Sequence, residues 1–354
     1  MRAWLWIALA MIGLSGCATT GKKPVAPPKP EPLIIGQHDS PPFLNVSIAT
    51  FVNENMGKSA TSRIYAPIRE AEVSYLPVLL RNTLNNAGHW GAVRVSPEPN
   101  PSSEVQVTAK VLASTALELK LHVTVVDSRG ATWIDKDYDE AAGPQTYAGD
   151  IGDDAFQSLF NQIANDMYRA LPAVDAKDLL RASALRYAIS LSPQTFSRYL
   201  KTDNHGIMQV VGLPAQDDKM YHRVAKIRAA EYKFEDVMDD QYSAFYDRLR
   251  TTYPYWQQLS YELLHYNRHL NTTGSKSDIQ PRVGTWSATR DVYDTFKEYK
   301  LNEDELRELA TTFKSETHRN ILALEGQVIE LNGPLQDQYK KWRKILDQIY
   351  SLER

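Results

Sequence analysis

Residues 105–134 read VQVTAKVLASTALELKLHVTVVDSRGATWI, and this stretch decides the fold. Val105, Val107, Ala109 and Val111 alternate with polar neighbours. Leu117, Leu119, Leu121, Val123 and Val125 do the same, with Glu118, Lys120, His122 and Thr124 between them. A period of two is the signature of strands with one face on a core and the other toward water. Asp127-Ser128-Arg129-Gly130 reads as a tight turn into a partner strand through Trp133 and Ile134. The result is a meander whose apolar face needs a cover.

The cover is legible on both sides of it. Upstream, Leu44, Val46 and Ile48 predict a strand, and a helix follows near Pro67. Its stripe is Val73, Leu76, Leu80, Leu84 and Ala87, with Gly88 as the stop; Pro77 inside it predicts a kink or a restart. Val93 and Val95 then form a short strand. Downstream, Phe156, Leu159, Phe160, Ile163, Met167 and Leu171 recur at helical spacing, with Asp153 or Asp154 expected as the N-cap. This order predicts an α+β fold, a sheet with helices packed on one face.

Past residue 172 the pattern is mainly helical. Helices are expected over 176–189 and 193–200, a strand over 207–211, and a long helical tract from Asp217 to Leu270 divided near Pro254. That tract is rich in aromatics, among them Tyr221, Tyr232, Phe234, Tyr242, Phe245, Tyr246 and Trp256. Such residues serve either as core packing or as a partner groove or glycan-facing surface. Residues 272–285 read as a loop, 303–313 as a helix, and 321–324 with 328–331 as a hairpin turning on Glu325-Gly326. Pro334 opens a last helix with the stripe Leu335, Tyr339, Trp342, Leu346 and Ile349. The expected organisation is 1–16 leader, 17–32 tether, 33–172 α+β domain, 173–300 helical aromatic-rich region and 301–354 helix-hairpin-helix module.

The N-terminus carries the most specific motif. Leu14-Ser15-Gly16-Cys17 closes an apolar run from Ala3 that is too short to span a bilayer and follows Met1-Arg2. It resembles the lipobox of bacterial lipoprotein precursors. The resemblance implies a cleaved signal peptide, with Cys17 acylated, as by palmitate, and placed first in the mature chain. Ala18 behind it resembles the outer-membrane sorting class, implying a lipid-anchored protein of the outer membrane facing the periplasm. Cys17 is the only cysteine, so no intramolecular disulfide is possible. Residues 19–32 are proline-rich and predict an extended spacer of about 3.1 Å per residue, roughly 40 Å in all.

The strand-helix-strand-meander-helix order has its own resemblance. On Leu76 to Val95, with Asn86-Ala87-Gly88 before the strand, and on the hairpin through Val125, Asp127, Gly130 and Trp133, residues 33–172 resemble a group of envelope-lipoprotein domains. These are found in ABC-transport auxiliary lipoproteins, penicillin-binding-protein activators, curli-secretion lipoproteins and the N-terminal domain of the Tol-Pal propeller protein. The resemblance implies a binding and assembly module. The C-terminal helix-hairpin-helix is similar to small envelope modules such as BON domains.

Chemistry is sparse. Glu262, His265 and His269 share a helix face at metal-like spacing, but zinc would need a further ligand, and no metal site is expected. Glu235, Asp236, Asp239 and Asp240 lack the glycine turn of an EF-hand and read as a solvated acidic face. Lys340, Lys341, Arg343 and Lys344 read as solvated helix surface. There is no Gly-x-Ser-x-Gly elbow and no phosphate loop, so neither a catalytic residue nor a cofactor is expected. With 40 basic and 43 acidic residues the net charge is −3, which gives no sign of a nucleic-acid partner. The expected function is a non-catalytic scaffold or accessory subunit of a cell-envelope assembly, with an envelope protein as partner. The alternative is a periplasmic cell-wall or glycan hydrolase using the helical region as its cleft.

Overall fold

The computed structural model describes residues 31–36, 43–54, 66–143, 146–147, 154–273, 285–316, 318–324 and 327–352. The expected leader, Cys17 and nearly all of the tether lie outside them. The fold is α+β, an N-terminal sheet followed by a mainly helical region.

Strand β1 (Val46–Ala49) leads through β2 (Val52–Asn53) and helix α1 (Ala66–Ala87) to β3 (Val93–Ser96), which lies parallel to β1. Strand β4 (Val105–Thr115) is parallel to β1 on its other side, and β5 (Glu118–Asp127) and β6 (Thr132–Ala141) continue antiparallel. The sheet order is β3-β1-β4-β5-β6, with β2 on β4. In register, Val46 lies beside Val93 and Val105, Val107 beside Val125, and Leu121 beside Tyr138, so the alternation builds one continuous apolar face. Helix α1 covers it near β1 and β3, and α2 (Gln157–Ala170) covers it near β6. The turn is the expected one: Asp127 accepts the Arg129 and Ala131 N–H groups and the Trp133 indole, and Gly130 holds φ at +88°.

Two local expectations are corrected. Pro77 does not restart the helix, since α1 runs unbroken across it. A proline at this position cannot bond the Val73 carbonyl one turn back, and that loss ordinarily breaks a helix. Here the Phe51 N–H at the end of β1 donates to the Val73 carbonyl at 3.0 Å, so the freed acceptor has a partner. Of the two expected caps of α2, Asp154 does not serve. Asp153 lies outside the described residues, and Asp154 accepts the Phe156 N–H at 2.9 Å ahead of the helix. The cap comes from the sheet: Glu140 on β6 accepts the Leu159 N–H at 2.7 Å.

Because β3 and β4 both run parallel to β1, residues 97–104 must return across the sheet between them. That crossover is buried and polar: Asn100, Ser102 and Glu104 are each 0% exposed. It is held by the helical region, which consists of α3 (Ala176–Leu191), α4 (Lys219–Leu249), α5 (Thr252–Thr273) and α6 (Thr285–Ser315). The expected division near Pro254 falls at Arg250-Thr251, leaving the proline in the first turn of α5, where its missing N–H costs nothing. The expected helix at 193–200 is a helical turn (Pro193–Phe196) and a 3-10 turn that give way to a hairpin, β7 (Leu200–Thr202) and β8 (Met208–Val210). Helix α6 begins well before residue 303. Of the expected loop over 272–285, residues 272, 273 and 285 belong to helices, and 274–284 lie outside the described residues.

Strands β9 (His318–Leu324) and β10 (Gln327–Gly333) pair antiparallel, and α7 (Leu335–Leu352) follows Pro334; Glu325-Gly326 lies outside the described residues. One apolar cluster runs from Leu44 to Tyr350, across the sheet, the helical region and α7. Trp342 closes it, 0% exposed and packed on Phe234 with ring centroids 5.1 Å apart. Trp342→Ala should therefore lower the stability of the chain by roughly 3–5 kcal/mol, since the cavity cannot collapse against a rigid neighbour. Denaturant unfolding monitored by circular dichroism measures it.

Candidate functional site

The acidic run on α4 is a solvated face only at Asp236 and Asp240, and Glu235 and Asp239 depart from that expectation. Glu235 is 2% exposed and accepts from Asn100 and, at 2.6 Å, from the Ser102 hydroxyl, both on the crossover. Asp239 takes Arg81 of α1 at 2.6 Å and the Val95 N–H of edge strand β3 at 2.8 Å. Asp236, itself exposed, pairs with Arg94 at 2.6 Å, and Asp240 is exposed as well. These carboxylates tie α4 along the sheet edge, satisfying backbone that would otherwise be open to pairing. Arg343 also departs from expectation. It forks onto both oxygens of buried Glu231, at 2.7 and 2.8 Å, binding α7 to α4, while Lys340, Lys341 and Lys344 lie toward solvent.

The metal-like trio is not assembled into a site that the structure describes. Glu262 accepts from Gln258 at 3.2 Å on the exposed side of α5, and the side chains of His265 and His269 lie outside the described residues. Among the described residues no group of three His, Cys, Asp or Glu side chains is placed to hold a metal ion. His122 on the outer sheet face is gripped at both ring nitrogens, by Asp137 at 2.8 Å and Asp135 at 3.0 Å. Its hydrogen bond to Asp137 raises its pKa above the ordinary histidine value.

Buried Glu72 is held by several donors. Glu72 accepts from Ser114 at 2.5 Å, from Tyr253 at 2.8 Å and from Arg69 at 2.8 Å. Five aromatic residues of α4 and α5 go into the core, Phe234, Tyr242, Phe245, Tyr253 and Trp256 being buried, while Tyr221, Tyr232, Tyr246, Tyr255 and Tyr261 stay partly exposed. A cavity of about 520 Å³ between α1, α4 and the start of α5 is lined by Arg81, Arg250 and Asp247. A smaller one of about 240 Å³ lies between α3 and α4. Neither brings two carboxylates together.

A third cavity, of about 320 Å³, is a groove built by segments far apart in the chain. Val73 of α1, Phe245 of α4, Ala310 and Phe313 of α6 and Leu335 of α7 give it an apolar lining. Thr50 and Pro97, after β1 and β3, close one end; the Thr50 hydroxyl donates to the Pro97 carbonyl at 2.9 Å. Three exposed charges stand on its rim: Glu70, Lys314 and Asp337. None of them has an ion-pair partner among the described residues, unlike the charges that tie α4 to the sheet. This combination of apolar floor and charged rim is the anatomy of a protein-docking patch.

No protein-family model matches the chain, and no curated protein is significantly similar to it.

Burial gives the molecule a distinctive pH response. Desolvation pushes Asp154 up to about 6, Glu140 up to about 7 and Glu235 up to about 8, the last also opposed by neighbouring Glu231. In each case the folded state holds a proton that the unfolded chain has already released. Stability from these groups is complete below their ordinary values and is lost as pH rises through the folded ones. Denaturant midpoints should therefore fall from about pH 5 to above pH 8. Glu235→Gln, which keeps the acceptor for Asn100 and Ser102, should flatten the upper part of that decline.

Proposed function

We propose that the protein is a non-catalytic scaffold or accessory subunit of a cell-envelope assembly, anchored in the outer membrane through acylated Cys17 and facing the periplasm. The tether over residues 17–32 holds the folded part away from the lipid, and the folded part receives an envelope protein. The observation that carries this reading is the apolar groove with its unpaired charged rim, a surface suited to docking. The lipobox-like Leu14-Ser15-Gly16-Cys17 supports the anchor.

A glycan hydrolase of the two-carboxylate kind would need those groups about 5–10 Å apart across an open cleft. Glu72 is engaged by three donors, and Glu70 and Asp337 stand on an exposed rim rather than in a desolvated cleft. Accordingly the scaffold reading is preferred to the enzymatic one.

Two measurements test it. Cys17→Ser should leave an unprocessed precursor that takes up no labelled fatty acid in cells. Deleting the stretch between Thr20 and Glu31 should impair the in-cell function while circular dichroism stays that of the parent. Label retained by the Cys17→Ser chain would remove the anchor from the proposal, and a shortened chain as active as the parent would remove the positional mechanism.

A further inference from the structure

The groove also carries information about what fills it. Its charged groups are all exposed, while Thr50, Ser74 and Tyr242 are the uncharged polar residues that line it further in. The rest of the lining is mainly apolar, and the space is large enough for one bulky side chain. The charges are unevenly placed. Glu70 on α1 and Asp337 in the first turn of α7 supply two negative charges, and Lys314 at the end of α6 supplies one positive charge.

We propose that the groove binds a protein segment presenting one aromatic or large apolar anchor flanked by basic residues, the anchor entering between Val73, Phe245, Phe313 and Leu335 and the basic groups meeting Glu70 and Asp337. This rests on the scaffold reading and deepens it by stating the chemistry of the partner.

The floor supplies the anchor's half of the recognition. Phe245 and Phe313 stack with ring centroids 4.3 Å apart and are themselves nearly buried, so the wall is rigid. A rigid wall lets an inserted side chain gain contacts without first ordering its host. The rim supplies the other half. Glu70 and Asp337 are exposed, so neither loses hydration while the groove is empty, and a basic partner group gives each an opposite charge. Rim charges of this kind select the partner and speed its approach more than they add affinity.

The test uses the full-length protein in detergent and two short synthetic peptides, identical except that a central tryptophan is flanked by lysines in one and by glutamates in the other. Fluorescence anisotropy should show the lysine peptide binding about tenfold more tightly at low salt, with the difference shrinking as salt is added. Glu70→Arg combined with Asp337→Asn changes only exposed side chains and keeps a neutral polar residue in the first turn of α7. With its melting temperature unchanged, that variant should now prefer the glutamate peptide. Equal binding of both peptides by the parent, a preference untouched by the double substitution, or no binding of either peptide would each overturn the proposal. The scaffold reading has its own test in acylation and tether length, so the two can fail separately.

Discussion

The crossover between β3 and β4 is the constraint on which the rest of the structure depends. A chain that returns across its own sheet buries backbone and polar side chains, and buried polar groups without partners cost several kcal/mol in sum. Helices α3 and α4 meet that demand. The Ser102 carbonyl accepts from Ser183 at 3.0 Å, from Tyr232 at 2.9 Å and from Arg228. Glu104 takes Arg228 and the Asn45 N–H, each at 2.9 Å. The crossover thus draws its hydrogen bonds from helices 81 to 130 positions away in the chain, and the apolar core follows the same route from β1 to α7.

This arrangement gives the helical region a structural explanation. Polar side chains of α4 act as backbone partners for the sheet, and its aromatic side chains act as packing for α6 and α7. What is left for recognition lies where these elements end together, at the groove. Surfaces assembled from several element termini can be tuned at the rim without disturbing the core beneath, which suits the scaffold role proposed for the protein.

The parts of the fold written in local periodicity were legible in the sequence. The alternation from Val105 to Val125, the α1 stripe from Val73 to Ala87 and the α7 stripe from Leu335 to Ile349 all report a face, and a face needs only neighbours in sequence. Glu235 and Asp239 of α4 were misread because their partners, Asn100, Ser102, Arg81 and Val95, lie far upstream and leave no trace in spacing. Arg343 was misread for the same reason, since Glu231 is 112 positions away. The groove could not be read at all, because Val73, Phe313 and Leu335 each look like ordinary core residues of separate helices. The expected lipid site at Cys17, by contrast, is a purely local motif outside the described residues.

Pro77 has a further consequence for how the molecule forms. In most helices each carbonyl finds its partner within its own segment, so the helix can assemble before it docks. The Val73 carbonyl cannot, and its donor, Phe51, lies across the connection that follows β1. Strand end and helix middle therefore complete each other, and neither has its full set of hydrogen bonds alone. The proline thus leaves in the middle of the helix an acceptor that the chain after β1 fills, one backbone bond tying the first strand to the helix that covers it.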